Sequence, residues 1–409
     1  MKVAPKPLVL VHGAWSHWRA FESWQNILTT SHSYDWKAYP VGEVTNKGII
    51  NIGRDMFSSE NTNTTAQNAE ALQRYIGFAQ EDRNAWHVDV VAHSMGGVIA
   101  RYYIDRLMPA AYQDGRPQIA HLLLLGTPNL GTPCADVMDY AFEMTGKSPN
   151  VVREMRQDSM AAFNRQHTNR EGVKFSSLAG NPLPTTCKSI VWNDGFVPVP
   201  SAIWTVVDRA ESKSIHTDLL GTKDFSEFVK PRVAIGPRGN HMPEVPSLRS
   251  QALGAGESLF DATFVNASFE LAGGASAISA DLRPDFAKAI KLAPKQTLEV
   301  EIPVQQALNF GITFMAAKEV SATLIDDAGA VAAKNLANTP EASAVFRSMF
   351  VDKSTKTATW KLRLENSGAK AAEAVIATWK NATKPGAKKD LVAAAYPHPD
   401  PLPRGRGDR

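Results

Sequence analysis

A serine can serve as a nucleophile when the chain holds it clear of its neighbours, and one stretch has the residues to do this. Positions 90 to 97 read V-V-A-H-S-M-G-G. Val88, Val90 and Val91 around Asp89 predict a buried strand. After the glycines, V-I-A-R-Y-Y-I-D-R-L-M predicts a helix with Ile99, Tyr103 and Leu107 roughly along one face. A serine at the sharp turn between them stands away from both, and glycine lets the helix pass the strand without a Cβ clash. That is the mechanics of a G-x-S-x-G nucleophile elbow, with Ala92 where the first glycine usually stands. The same residues also fit a small serine in a tight turn, so the reading depends on partners elsewhere in the chain.

A serine hydroxyl needs a histidine to take its proton, a carboxylate to orient that histidine, and donors for the developing oxyanion. The elbow predicts the order serine, acid, histidine. Of ten histidines, His12, His17, His32 and His87 come too early, and His93 belongs to the elbow itself. His121 opens a strand, His167 lies in a polar stretch, and His398 is in the tail. His216 in K-S-I-H-T-D-L-L-G remains, with His241 in reserve; its plainer reading is a surface or capping histidine. Asp194 in S-I-V-W-N-D-G-F-V-P is the candidate acid, at a strand-like run's end, although D-G alone makes a turn. Asp208 and Asp218 are its rivals, the latter only two residues from His216. The oxyanion donors are then the amides of Met95, after the nucleophile, and of Ala14 in V-H-G-A-W, where Gly13 lets the backbone turn and His12 braces the loop.

These residues require strand ends gathered at one edge of a sheet. Pro7 to His12 reads as a strand, Phe21 to Leu28 as a helix, Tyr34 to Tyr39 as a second strand, and T-T-A-Q-N-A-E-A-L-Q-R-Y-I-G-F-A as a clear helix. H-L-L-L-L-G-T-P and Val173 to Leu178 are further strands, and F-S-E-F-V a last helix. Strands alternating with helices indicate an α/β domain with a mostly parallel sheet covered on both faces. We assign it residues 1–235, followed by a breaker-rich linker over 236–254. Alternating runs from Q-T-L-E-V-E-I-P-V to A-E-A-V-I-A-T-W, with D-D-A-G as a hairpin signal, predict an all-β sandwich over 255–396. The proline- and charge-rich residues 397–409 form a tail expected to be mobile.

Composition narrows the function. With 409 residues the chain exceeds a usual single core. Its 44 basic and 41 acidic residues nearly balance, and the absence of a long basic block argues against nucleic acid. The longest apolar runs, such as L-L-L-L, are too short to span a membrane. Cys134 and Cys187 either pair in an oxidising compartment or are two buried thiols, and they lack zinc spacing. No D-x-D-x-D-G loop marks a calcium site. M-K-V-A-P-K-P leaves no room for a secretory signal before the first strand, so the protein is either cytoplasmic or begins at a mature end.

Taken together, V-L-V-H-G-A-W, A-H-S-M-G-G, L-G-T-P-N-L-G-T, N-D-G-F-V-P and I-H-T-D-L-L resemble the α/β-hydrolase superfamily, specifically bacterial lipases and the related lipase-like inositol deacylases. The resemblance covers roughly residues 5 to 235, and alanine before the histidine is a variant found among small bacterial lipases. It implies Ser94 as nucleophile, Asp194 as acid and His216 as base, and carboxylic-ester hydrolysis through an acyl-enzyme without a cofactor. It also implies a helical cap, placed at about 134–170, and a secreted or periplasmic setting for such a hydrolase with its appended β domain.

The substrate is less constrained. Val137, Met138, Tyr140, Phe142, Met144, Val151, Val152, Met155, Met160 and Phe163 mostly pack the cap, while several of them are expected to line an acyl pocket. Trp15 and His93 are assigned to substrate binding, and Trp18 and Trp24 to helix packing. Hydrophobic acyl esters, at an oil surface or in solution, are the leading substrates. Alternatives are phospholipid or inositol-lipid head groups, polyesters, and a non-catalytic lipid-surface binding role. Trp360 and Trp379 make no obvious aromatic platform, so the sandwich is expected to brace or assist.

Overall fold

Leu8–Val11 is wholly buried, and its side chains divide by parity. Val9 and Val11 join one hydrophobic cluster, Leu8 and Leu10 another. That is what period-2 alternation produces when both faces of a sheet are covered. The structure is a computed structural model that describes residues 6–30, 37–53, 61–143, 149–183, 187, 191–236, 284–307, 309–337, 346–351 and 355–381. Six strands form the sheet: β1 (Leu8–Val11), β2 (Ala38–Pro40), β3 (Val88–His93), β4 (Ile119–Leu125), β5 (Lys174–Gly180) and β6 (Asp208–Ser212). Their spatial order is β2-β1-β3-β4-β5-β6 and every pairing is parallel.

Helices α2 (Thr65–Arg83) and α3 (Met95–Arg106) pack against one another and cover the Val9 face. Thr64 caps α2 with a reciprocal capping box to Gln67, and Asn84 closes it in the left-handed conformation. The Leu8 face is covered by α1 (Glu22–Thr30) and by a helical stretch in which α8 (Thr222–Asp224) passes through a π turn at Phe225–Val229 into α9 (Lys230–Ile235). Trp24, Phe21 and Phe225 meet there ring to ring. The chain crosses from β2, on one side of β1, to β3 on the other, so the connections after β1 and β3 diverge and leave a crevice.

Between β4 and β5 lies the cap, α4 (Pro133–Glu143), α5 (Asn150–Glu154) and α6 (Gln157–Gln166). Val137, Met138, Phe142, Val151, Val152, Met155 and Met160 are buried in the main core, so they pack the cap as expected; Met144 lies outside the described residues. Cys134 is bonded to Cys187, with Cα atoms 5.2 Å apart. The disulfide ties α4 to the segment before Asp194, which settles the alternatives left open for these thiols. Short α7 (Val199–Ile203) follows that segment.

The described C-terminal strands are all antiparallel and form two four-stranded sheets. One holds β8 (Thr297–Val304), β10 (Val320–Ile325), β11 (Val331–Asn335) and β13 (Ala358–Asn366). The other holds β7 (Phe286–Leu292), β9 (Asn309–Ala316), β12 (Phe346–Val351) and β14 (Ala372–Asn381). Their facing residues, among them Ile302, Phe314, Leu362 and Ile376, build one core. The D-D-A-G turn does join a hairpin, β10 to β11, closed by Asp326 and Ala330 with Gly329 at φ 82°. Trp360 and Trp379 are both buried, which removes them as a surface platform. The second sheet's outer face sends Ala287, Met315, Val375 and Ala377 into the first domain's core, where β7 and β14 meet α4.

Some expectations differ. Of S-I-V-W, Ser189 and Ile190 lie outside the described residues and Val191 and Trp192 belong to no described strand, while Asn193 makes isolated bridges to Leu183 and Pro198. The sheet's last strand is instead the polar β6, D-R-A-E-S. The expected linker and tail, and His32, His241 and His398, also lie outside the described residues.

Candidate active site

Ser94 follows the last residue of β3 and precedes α3, with φ 54° and ψ −130°. A non-glycine residue held there stores strain that the surroundings must impose. The glycines supply the room. A Cβ on Gly96 would stand 2.5 Å from the His12 carbonyl oxygen, and one on Gly97 2.1 Å from Thr127 Oγ1. A Cβ on Gly13 would lie 2.6 Å from Ser94 Cβ, so the loop after β1 runs directly over Ser94. Ala92 is fully buried beside β1, and its methyl group is accommodated. The Met95 amide is in the first turn of α3, where helical amides lack an intrahelical acceptor. The loop after β1 is anchored beyond Ala14 by Trp15, whose amide donates to Ile52 at 3.0 Å and whose φ is 54°.

Asp194 and His216 come together on the adjoining strand ends. His216 Nδ1 lies 2.7 Å from Asp194 Oδ2. The other carboxylate oxygen accepts from the amides of Phe196 at 2.9 Å and Val197 at 2.7 Å, fixing the Asp194 side chain. The His216 amide donates to the Asp194 carbonyl at 2.8 Å. Phe196 stands edge-on to the imidazole at 5.2 Å, and the ring of His93, the residue before Ser94, is 4.7 Å away. His216 opens a 3₁₀ turn, His216–Leu220. Ser94, Asp194 and His216 are all buried.

The alternative acids are engaged elsewhere. Asp208 takes a bidentate pair of bonds from Arg232, both at 2.8 Å. Asp218 is exposed in the 3₁₀ turn beyond His216. Burial holds the His12 imidazole down at about 4, and its Nδ1 lies 3.1 Å from the Gly13 carbonyl oxygen, consistent with a brace for the loop.

Known structures share the fold. Bacillus licheniformis lipase BlEst2 in its propeptide form is 16% identical, with alignment over 96% of this chain and 77% of that one at a TM-score of 0.55. The fold is that of an α/β-hydrolase. The mature form of the same lipase covers 57% of this chain and 93% of its own, at 17% identity and TM-score 0.42. The phospholipase PlaB from Legionella pneumophila covers 48% and 45%, at 16% identity and TM-score 0.35. The model of a domain of unknown function, DUF7379, matches residues 59–143, which include Ser94.

Within this α/β-hydrolase fold three residues carry weight that sequence reasoning did not give them. Gly126, at φ 55° just after β4, faces the Asp194–His216 pair: a Cβ there would be 3.0 Å from Asp194 Oδ2 and 3.1 Å from His216 Nδ1. Gly180, ending β5, would place one 2.6 Å from Asp194 Cβ. Their only visible signal was a glycine ending each buried run, in L-L-L-L-G and S-S-L-A-G. The third is His93, which was assigned to substrate. It is buried, with Nε2 at 2.8 Å from the His216 carbonyl oxygen. Trp15 is partly buried, and its ring lies where a Cβ on Gly53 would meet it at 2.9 Å. Trp24 packs fully inside, as expected.

Proposed function

We propose that the protein is a serine carboxylester hydrolase of the lipase and esterase type, acting on esters of hydrophobic acids. The observation that carries this reading is the buried Asp194–His216 pair, 2.7 Å long, on the sheet edge where Ser94 is held in elbow geometry. His216 Nε2 takes the proton as Ser94 Oγ attacks the ester carbonyl carbon. The oxygen, now negative, is received by the Met95 and Ala14 amides, each worth roughly 3 kcal/mol of transition-state stabilisation. Collapse breaks the bond to the alcohol oxygen, which takes the proton from His216 and leaves an acyl group on Ser94. Water then repeats the sequence, giving its proton to His216 and its oxygen to the acyl carbon, and Ser94 recovers the proton as the acid departs. Asp194 fixes the imidazole tautomer throughout.

Hydrophobic acyl groups suit the apolar cap and Trp15 beside the oxyanion loop. The buried disulfide suits an oxidising, secreted or periplasmic setting. A fluorophosphonate should add a single adduct on Ser94, and Ser94→Ala should abolish both the adduct and turnover of p-nitrophenyl esters. Full esterase activity in Ser94→Ala would refute the mechanism. Turnover confined to phospholipid vesicles, with none on soluble esters of any chain length, would move the substrate to lipid head groups.

A further inference from the structure

The geometry points to His93 as a positioning residue that holds the catalytic histidine by its backbone, an inference that rests on the serine-hydrolase reading. His93 sits between the two halves of the site. On one side, its Nε2 reaches the His216 carbonyl oxygen at 2.8 Å, and since a carbonyl only accepts, Nε2 carries the hydrogen. On the other side, a Cβ on Gly13 would lie 3.0 Å from His93 Nδ1, so the ring faces the oxyanion loop.

His216 is thereby held at three atoms. Its amide donates to the Asp194 carbonyl at 2.8 Å, its Nδ1 meets Asp194 Oδ2 at 2.7 Å, and its carbonyl receives His93. The first two come from the acid loop. Only the third comes from the nucleophile's own strand, because His93 is the last residue of β3 and Ser94 follows it. The bond therefore fixes the base relative to the nucleophile, a separation the Asp194 contacts leave undetermined. The rings of His93 and His216 also lie 4.7 Å apart at 42°, so the imidazole cannot tilt toward β3 without meeting a second ring.

Neutrality is required for this task. A protonated His93 beside His216 would oppose the imidazolium that forms during each acyl transfer. Burial, and secondarily the nearby His216, hold His93 down at about 3. Its Nδ1 has no hydrogen-bond partner among the described residues, so the ring is tied only through Nε2. Glutamine can present an N–H close to the position of Nε2; leucine fills similar space and offers none.

The test compares His93→Leu and His93→Gln with the wild type. For p-nitrophenyl butyrate, His93→Leu should lose on the order of 100-fold in kcat with KM little changed, the effect of a misplaced base, and His93→Gln should recover most of it. Independently of turnover, the low-field proton resonance of His216 Nδ1–H, assigned by its loss in Asp194→Asn, should shift or broaden in His93→Leu and return in His93→Gln. A rise in KM with kcat intact would overturn the proposal in favour of a substrate contact. An unchanged resonance in a folded His93→Leu would overturn it as well. Should the wild type take no fluorophosphonate and cleave no ester, the hydrolase reading fails while the resonance still tests the positioning bond.

Discussion

Replacing Gly126 by alanine adds one methyl group directly against the Asp194–His216 pair. That carbon would lie 2.8 Å from Leu219 Cδ1, 3.0 Å from Asp194 Oδ2 and 3.1 Å from His216 Nδ1, where unstrained contacts of carbon need about 3.5 Å. Something must retreat by roughly half an ångström. Leu219 is fully buried. Asp194 is fixed through Oδ1 by two amides at 2.9 and 2.7 Å. The imidazole, held on that side by a single bond, is the part that yields, and turning it lengthens the Asp194–His216 contact. Complete loss of the acid's function costs about 10⁴-fold in kcat in a serine triad, and a displacement of this order about 100-fold.

The backbone adds a separate cost, because Gly126 has φ 55° and a side chain there loses about 1 kcal/mol. Gly115→Ala isolates it: Gly115 has φ 75° and a Cβ there meets nothing within 4 Å. Both variants should lower Tm, while only Gly126→Ala should lose on the order of 100-fold in kcat on p-nitrophenyl butyrate. Wild-type kcat in a Gly126→Ala protein whose Tm falls like that of Gly115→Ala would refute the assignment of Asp194 and His216 as the working pair.

Two further expectations concern stability. Asp136 on α4 is pushed up to about 8, first by burial and then by the neighbouring Asp158 charge, against the attraction of Arg156, whose Nε is 3.7 Å away. A carboxyl raised in the folded state stabilises it below the ordinary carboxylate range and loses that contribution as pH climbs toward 8. Asp136→Asn, which cannot ionise, should match the wild-type Tm near pH 4, exceed it increasingly up to about pH 8 and gain no more beyond; a pH-independent difference would contradict this. The Cys134–Cys187 bond closes a span of 53 residues, worth roughly 4 kcal/mol in chain entropy. Replacing both cysteines by alanine should lower the denaturation midpoint accordingly, and an unchanged midpoint would show that the cap is held without it.

The proposed triad could be picked out because its constraint is one of order along the chain: an elbow at Ser94 demands an acid and then a histidine on later strand ends, and few residues qualify. The central strands were legible because two-sided burial makes them runs of Val and Leu. β6 was not, because it is the sheet's edge and its residues are polar groups with partners, Asp208 with Arg232 and Ser212 with Asp224. β7 and β12 escaped for a related reason: among the described residues each is paired on one side only, and β7 breaks the alternation with Lys288 and Ala289 exposed in succession. Gly126 and Gly180 were invisible in another sense. Their importance lies in contacts with Asp194 and His216, which no local pattern encodes. For His93, the bond to the His216 carbonyl is likewise a contact between distant positions that the sequence does not display.

These glycines explain why the site forms where it does. Parallel strands deliver their C-terminal ends to one edge at about 4.8 Å spacing, so four neighbouring ends lie within roughly 15 Å. With the crossing between β1 and β3 opening a crevice, the three proposed catalytic side chains and two proposed donor amides must share that edge. Gly13 after β1, Gly96 after β3, Gly126 after β4 and Gly180 at the end of β5 each leave the space of one Cβ. At Gly13 the space goes to Ser94, at Gly96 to the His12 and Val11 carbonyls, at Gly126 to the acid–base pair and at Gly180 to Asp194. Each strand end gives up a side chain so that a neighbour's group can enter, and the four omissions set the geometry of the proposed triad as directly as the three residues themselves.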